Sequence, residues 1–324
     1  MRGLILRGVD FGPVLVASGT LNFFGEGWPY HRYYNLLPGF DFSGATFVAK
    51  TTTLGQRAGN MPLDHHLQPK EFRPSCIKVN FRKRAVLNAV GLSGPGARAL
   101  FETGRWQART RPFFISFMAV RPERSDRLKE TAAFVSMFKE FLPGFKTKVG
   151  LQINISCPNT DHDPAELAHE AVEYLEIASQ LGVPLDLKIN ALTPIEAVLL
   201  IERKKLMDSL TVSNTIPWGK QVDFVDDDPR FRINWQRIFG SEISPLHELG
   251  GGGLSGEPLL PIVAEWVHEA RAMGISIPIV AGGGVLKPED ARHLFCSGAS
   301  AIAIGSVAIL RPWRVKSIID YANK

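Results

Sequence analysis

Short apolar or β-branched runs recur along the chain, and the stretches between them carry helical patterns. They are Val14 to Ala17, Ala45 to Ala49, Pro112 to Val120, Val149 to Ile155, Leu185 to Ile189, Ser209 to Ser213, Ile277 to Ala281 and Ala301 to Ile304. Apolar strands that alternate with helices belong to a parallel sheet covered on both faces, and a set of about eight invites closure into a barrel. The pattern therefore predicts an α/β fold of the (β/α)8 TIM barrel type.

The intervening helices announce their starts. Thr193-Pro194-Ile195-Glu196 offers a cap hydroxyl, a first-turn proline and a glutamate in capping-box order. Asp163-Pro164 does the same for a helix whose Leu167, Ala171, Leu175, Ala178 and Leu181 recur every three or four residues, a stripe that should face the strands. Lys287-Pro288-Glu289-Asp290 opens a further helix, and Leu128 to Phe141 reads as another. Two stretches break the alternation, Gly55 to Arg84 and Trp218 to Gly251. Loops this long inside a compact domain tend to be lids or extra hairpins, so both are expected as insertions over the C-terminal mouth. Asp226-Asp227-Asp228-Pro229, within the second, reads as a solvated turn rather than a metal site, because consecutive aspartates point in different directions.

Length and composition narrow the class. A chain of 324 residues, 45% hydrophobic and 21% charged, is long enough for one α/β barrel, so residues 1–324 are read as a single domain. Cys76, Cys157 and Cys296 are scattered and odd in number, which encodes neither a disulfide framework nor an iron-sulfur motif and suits a reducing cytosol. Arg7 and Asp10 interrupt the N-terminal apolar residues before a secretion signal could form, and no apolar run approaches the ~20 residues of a membrane span. The net charge of +5 comes from groups such as Arg82-Lys83-Arg84, Arg105 with Arg109 and Arg111, and Arg203-Lys204-Lys205. None is interleaved with aromatics as a nucleic-acid platform would be, so they are read as solvated surface and no nucleic-acid partner is expected.

Candidate chemistry collects at predicted strand ends, where a barrel of this kind places its active site. Ser18-Gly19, Lys50, Asn154, Lys188, Asn214, Gly283 and Gly305 all fall there. Glycines 282 to 284 and Gly305-Ser306 follow the seventh and eighth strands, where exposed backbone N–H groups suit a phosphate, and Gly252-Gly253-Leu254-Ser255-Gly256 would add donors. A lysine inside the apolar run Leu185 to Ile189 is costly unless it reaches a mouth or an anion, which singles out Lys188. The fourth strand runs into Asn154-Ile-Ser-Cys157-Pro-Asn159-Thr160, bringing a thiol and two carboxamides together. Cys157 can act as a base only as thiolate, and carboxamides match a flat ring of alternating carbonyl and N–H groups.

That heptapeptide resembles the catalytic loop of the dihydroorotate dehydrogenase family, especially its soluble members with a cysteine base. Other segments resemble the family in the same order: Leu15 to Thr20, Val48 to Leu54 with Gly59-Asn60, Asn88 to Leu92, Leu187-Lys188, Ser213-Asn214-Thr215, and the glycine clusters at 252–256, 282–284 and 305–306. The resemblance runs from about residue 13 to 311 and implies an FMN cofactor. It implies flavin contacts from Ala17, Ser18, Gly19, Lys50, Thr51, Asn154, Lys188, Ser213, Gly253, Ser255, Gly256, Gly283, Gly284, Gly305 and Ser306. Substrate contacts would come from Lys50, Asn88, Asn154, Asn159, Asn214 and Thr215, with Cys157 and Lys50 as catalytic residues and no metal. The implied reaction oxidises dihydroorotate to orotate in pyrimidine biosynthesis, Cys157 taking the C5 proton and a hydride passing from C6 to flavin N5. It also implies a cytoplasmic homodimer without membrane attachment, its electron acceptor open among fumarate, oxygen, a quinone and a partner subunit. The alternatives are a flavoenzyme acting on another dihydropyrimidine or on uracil in tRNA, and a non-redox phosphate-binding barrel. Departures cluster near the substrate: Asp161-His162-Asp163-Pro164 replaces a proline- and glycine-rich lid, Met61-Pro62-Leu63-Asp64 follows Asn60, and Val90 and Ser93 replace commoner residues. His162 is read as a surface residue before the helix cap, with a proton relay as the alternative role.

Overall fold

Each of the eight apolar runs contains a strand in the computed structural model, which describes residues 3–155, 164–224 and 228–324. The strands are β1 (Val14–Val16), β2 (Thr46–Phe47), β3 (Phe113–Phe117), β4 (Val149–Asn154), β5 (Leu185–Ile189), β6 (Ser209–Val212), β7 (Ile279–Gly282) and β8 (Ala301–Ile304). They pair in parallel in the order β2-β1-β8-β7-β6-β5-β4-β3, and parallel bridges Val48–Phe114 and Thr52–Phe117 join the last strand to the first. The (β/α)8 TIM barrel expected from the sequence is what the chain forms.

The strand limits differ from the apolar runs for local reasons. The seventh starts at Ile279 rather than Ile277 because Pro278 has no N–H to give to a ladder and contributes only its carbonyl, which accepts from Leu210 N. The second keeps two paired residues, its remainder held by single bonds such as Ala49 N to Phe114 O.

Helices α1 (Ala97–Glu102), α2 (Arg124–Phe141), α3 (Pro164–Ser179), α4 (Ile195–Glu202), α5 (Leu259–Ala272), α6 (Pro288–Cys296) and α7 (Val315–Ala322) lie outside the strands. On α3 the expected stripe is buried at Ala171, Leu175 and Ala178, and on α2 Phe134 stacks on Phe117 of β3 at 3.9 Å. Asp290 Oδ2 accepts from the N–H groups of Leu286 and Lys287, fixing the start of α6. The capping box expected at Thr193 does not form. Helix α4 begins at Ile195 after Pro194 with no side-chain cap, and Thr193 instead offers its carbonyl to Trp266 Nε1. Among the described residues no helix is long and apolar enough to cross a membrane.

The N-terminal dozen residues also form structure that their pattern does not announce. Ile5–Leu6 and Val9–Asp10 pair antiparallel across Arg7-Gly8, both of which take positive φ, as a tight hairpin turn requires. This hairpin carries Leu4, Leu6 and Phe11 into the N-terminal end of the barrel, where they pack with Leu15, Val48, Phe114 and Val280. The basic groups lie at the surface, apart from Arg109. Its guanidinium sits 4.2 Å from the Phe47 ring and 5.0 Å from the Phe113 ring and donates to Phe24 O.

Both long connections reach one further sheet. Strands Ile77–Asn80 and Ala85–Asn88 form a hairpin, Gly253–Gly256 pairs antiparallel with its second strand, and Ile216–Pro217 completes four strands. Asn80 Nδ2 donates to Ile238 O, tying the hairpin to the segment between β6 and Gly253. In that segment Trp218 packs against Trp235 and Phe239. Of the aspartate run, Asp226 and Asp227 lie outside the described residues, and Asp228 is held by Arg230.

The barrel interior leaves little slack at Gly150 of β4, where an added Cβ would lie 2.3 Å from the Phe114 ring. Gly150→Ala is expected to destabilise the protein by about 1–3 kcal/mol through overpacking, measured by denaturant unfolding. A variant as stable as the parent would show that Phe114 has room to move.

Candidate active site

The C-terminal ends of the strands open into one cavity of about 610 Å³, roofed by the antiparallel sheet. Its size is that of a small-molecule site. Ala17, Ser18 and Gly19 reach it from the turn after β1, Lys50 and Thr51 from beyond β2, Asn154 from β4 and Lys188 from β5. Ser213, Asn214 and Thr215 follow β6, Gly283 and Gly284 follow β7, and Gly305 and Ser306 follow β8. The roof adds Asn88, Gly253, Ser255 and Gly256. Every residue expected to contact flavin or substrate and described by the structure thus lines this cavity. Cys157, Asn159 and His162 lie outside the described residues.

A hydrogen-bonded chain crosses the cavity wall. Ser18 Oγ donates to Ala49 O at 2.9 Å and meets Thr51 Oγ1 at 2.8 Å, and Thr51 Oγ1 meets Ser116 Oγ at 2.9 Å. Asn214 Nδ2 donates to Asn154 Oδ1 at 3.2 Å, and Asn88 Nδ2 donates to Gly253 O at 3.3 Å. The carboxamides are thereby held by their neighbours in fixed directions. The loop after Asn88 is pinned from below, because Asn60 donates through its backbone N–H to Val90 O and through Nδ2 to Ala89 O.

Two glycines are required by close approach. A Cβ at Gly253 would lie 2.2 Å from Thr215 Oγ1, and at Gly284, where φ is +74°, one would lie 2.6 Å from Gly256 O. The backbone N–H groups of Gly283, Gly284, Gly305 and Ser306 find no acceptor among the described residues. Unpaired donors facing a cavity at the ends of β7 and β8 have the chemistry to receive an anion such as a phosphate.

The structure also brings in residues that the sequence reading passed over. Gln152, Asn190, Thr211, Trp28 and Tyr30 line the cavity. Gln152 and Thr211 each stand two residues before a residue already singled out, Asn154 and Ser213, and alternation along a strand puts such pairs on one face. That spacing was available as a signal. Trp28 packs beside the first turn and donates Nε1 to Gly19 O.

The family model described as dihydroorotate dehydrogenase matches residues 6–323. A protein of Streptococcus pneumoniae serotype 4 named dihydroorotate dehydrogenase B (NAD(+)), catalytic subunit, is 28% identical over 331 residues, covering 98% of this chain and 90% of its own. A Geobacillus protein of the same name is 28% identical over 327 residues, covering 98% and 87%. Among solved structures, dihydroorotate dehydrogenase of Eimeria tenella in complex with ferulenol superposes with a TM-score of 0.65 at 18% identity, covering 99% of this chain and 83% of that one, a likeness of fold.

Two buried ammonium groups dominate the electrostatics. Lys50 donates to Ser93 O at 2.5 Å and lies 4.8 Å from the Phe23 ring, and burial lowers its pKa to about 8. Burial likewise lowers Lys188 to about 8, partly offset by the charge of Asp186. The Lys188 ammonium makes no hydrogen bond among the described residues. A buried cation lining the same cavity as unpaired N–H donors fits an anionic ligand.

The unfolded chain holds the Lys50 proton up to about pH 10.5, the folded chain only to about 8. Between these values the unfolded state binds more protons, so this lysine costs stability below pH 8 and the cost fades as pH rises. Lys50→Met is expected to stabilise the ligand-free protein by about 1–3 kcal/mol at pH 7, with the gain shrinking from pH 8 to 10.5. Thermal or denaturant unfolding across that range measures it, and a gain independent of pH would remove the ammonium as its source.

Proposed function

We propose, from the premise that this chain belongs to the dihydroorotate dehydrogenase family, that it oxidises dihydroorotate to orotate with FMN as its cofactor. The observation that carries the reading is the cavity in which two buried ammonium groups, carboxamides held by hydrogen bonds and unpaired backbone N–H groups converge. FMN, when bound, supplies the two-electron acceptor of the reaction.

The chain's own residues divide the remaining work. The N–H groups of Gly283, Gly284, Gly305 and Ser306 hold the phosphate, helped by Ser255 and Gly256. Ala17, Ser18, Gly19, Thr51, Ser213 and Gly253 shape the flat part of the cofactor site, and Lys188 presents positive charge to the electron-rich end of the ring. Asn88, Asn154, Asn214, Thr215 and Asn159 meet the edges of the pyrimidine, since carboxamides pair with both carbonyl and N–H groups without adding charge. Lys50, held by Ser93 O, serves both cofactor and substrate. Cys157, three residues beyond the end of β4, takes the C5 proton as thiolate. The family match favours this reading over one on uracil in RNA.

For the electrons, the reading takes a partner subunit as the acceptor. Its support is that the bacterial relatives are named catalytic subunits of an NAD(+)-linked enzyme. It also keeps the cytoplasmic homodimer implied by the family resemblance, for which exposed Phe81 and Ile243 supply apolar contact area.

Purified protein is expected to be yellow and to bleach on anaerobic addition of dihydroorotate. Cys157→Ala should retain FMN yet slow that bleaching by about a hundredfold or more, the range of general-base effects. Rapid bleaching by the variant would take the thiol out of the reaction, and a colourless protein unable to take up FMN would overturn the proposal.

A further inference from the structure

Beneath the cavity floor lies a carboxylate that none of these roles uses. Asp186 is fully buried on β5, two residues before Lys188, so strand alternation turns both side chains to the inner face of the barrel. The register pairs Asp186 with Gln152 of β4 and Ser209 of β6, and one layer higher pairs Lys188 with Asn154 and Thr211. Gln152 Nε2, Ser209 Oγ and Thr211 Oγ1 donate to the carboxylate at 2.8, 2.7 and 2.7 Å. Three donors are what an ionised carboxylate needs, since it can only accept. Burial raises the Asp186 carboxyl pKa, against which act these three donors and the Lys188 charge. Burial lowers Lys188, and the Asp186 charge opposes that in turn. Each group helps keep the other ionised.

We propose that Asp186 is a positioning residue, whose carboxylate, fixed by Gln152, Ser209 and Thr211, holds the Lys188 ammonium charged and available to the ligand above it. The inference rests on the flavoenzyme reading only for the identity of that ligand. From the adjacent strands Lys188 faces Asn154 and Thr211, neither of which titrates, and the other titratable groups lining the cavity among the described residues are Tyr30 and Lys50. Asp186 is therefore the acid that answers it from within the barrel wall.

The test begins without cofactor. In protein carrying carbon-13 at lysine Cε, the Lys188 resonance, assigned by its loss in Lys188→Met, reports protonation directly. In Asp186→Asn its midpoint should fall by at least about one pH unit, a tenfold loss of proton affinity, and an unchanged midpoint would overturn the proposal. Titration of the apoprotein with FMN should then show the variant losing at least fivefold more affinity at pH 8.5 than at pH 6. In a Lys188→Met background that pH-dependent loss should vanish, and its persistence would mean that Asp186 acts as a structural group only. Should Asp186→Asn not fold, Ser209→Ala removes one donor from the carboxylate and should lower the Lys188 midpoint in the same direction, with no shift again counting against the idea. If wild-type protein binds no FMN, the flavoenzyme reading fails while the lysine titration still decides the role of Asp186.

Discussion

An ammonium group taken out of water must be answered by negative charge, by oriented carbonyls or by a ligand, and this chain buries two in one cavity. The solutions differ. Lys50 is answered by a backbone carbonyl from the loop after Asn88 and by the face of Phe23. Lys188 is answered from below, by a carboxylate one layer down the barrel wall. The first solution ties the roof loop to strand two, so this part of the cavity wall is positioned by the cation it answers. The second depends on parallel register, because only in-phase strands bring Gln152, Asp186 and Ser209 to one level with Thr211 one layer above them.

The roof answers a different problem. Parallel closure satisfies the barrel's own backbone but leaves the strand ends open to water, and catalysis on a buried ring needs water excluded. Here the β2–β3 connection contributes a hairpin and the β6–β7 connection contributes the strands that extend it. Neither piece would be a stable sheet alone, since an isolated hairpin is marginal in water. Joined, they carry Asn88, Gly253, Ser255 and Gly256 to the cavity on regular backbone rather than on free loops.

Much of this was legible in the chain. Apolar runs mark the barrel strands, and the rule that barrels act at their C-terminal ends makes Ser18, Lys50, Asn154, Lys188 and Gly305 candidates for one cavity, which they line. What stayed hidden had physical causes. Asp186 sits inside Leu185 to Ile189, where the eye takes an apolar run as core and a charge as an exception. The hairpin at the barrel bottom turns on Arg7-Gly8, which lacks the asparagine-glycine signature of such turns. Arg109 was read as surface because sequence does not reveal that Phe47 and Phe113 lie side by side beneath it. Thr193 looked like a cap, but the packing of Trp266 uses its carbonyl and the helix starts without it.

The composite roof also sets an order of events at the ribosome. Asn88 emerges 165 residues before Gly253, the residue whose carbonyl its side chain holds. At about 5–20 residues per second, the hairpin's second strand waits on the order of ten seconds or more with an unpaired edge. Nascent chains must therefore keep that edge from neighbouring polypeptides until the sixth barrel strand and its connection have been made, and a pause in translation between them would lengthen the exposure.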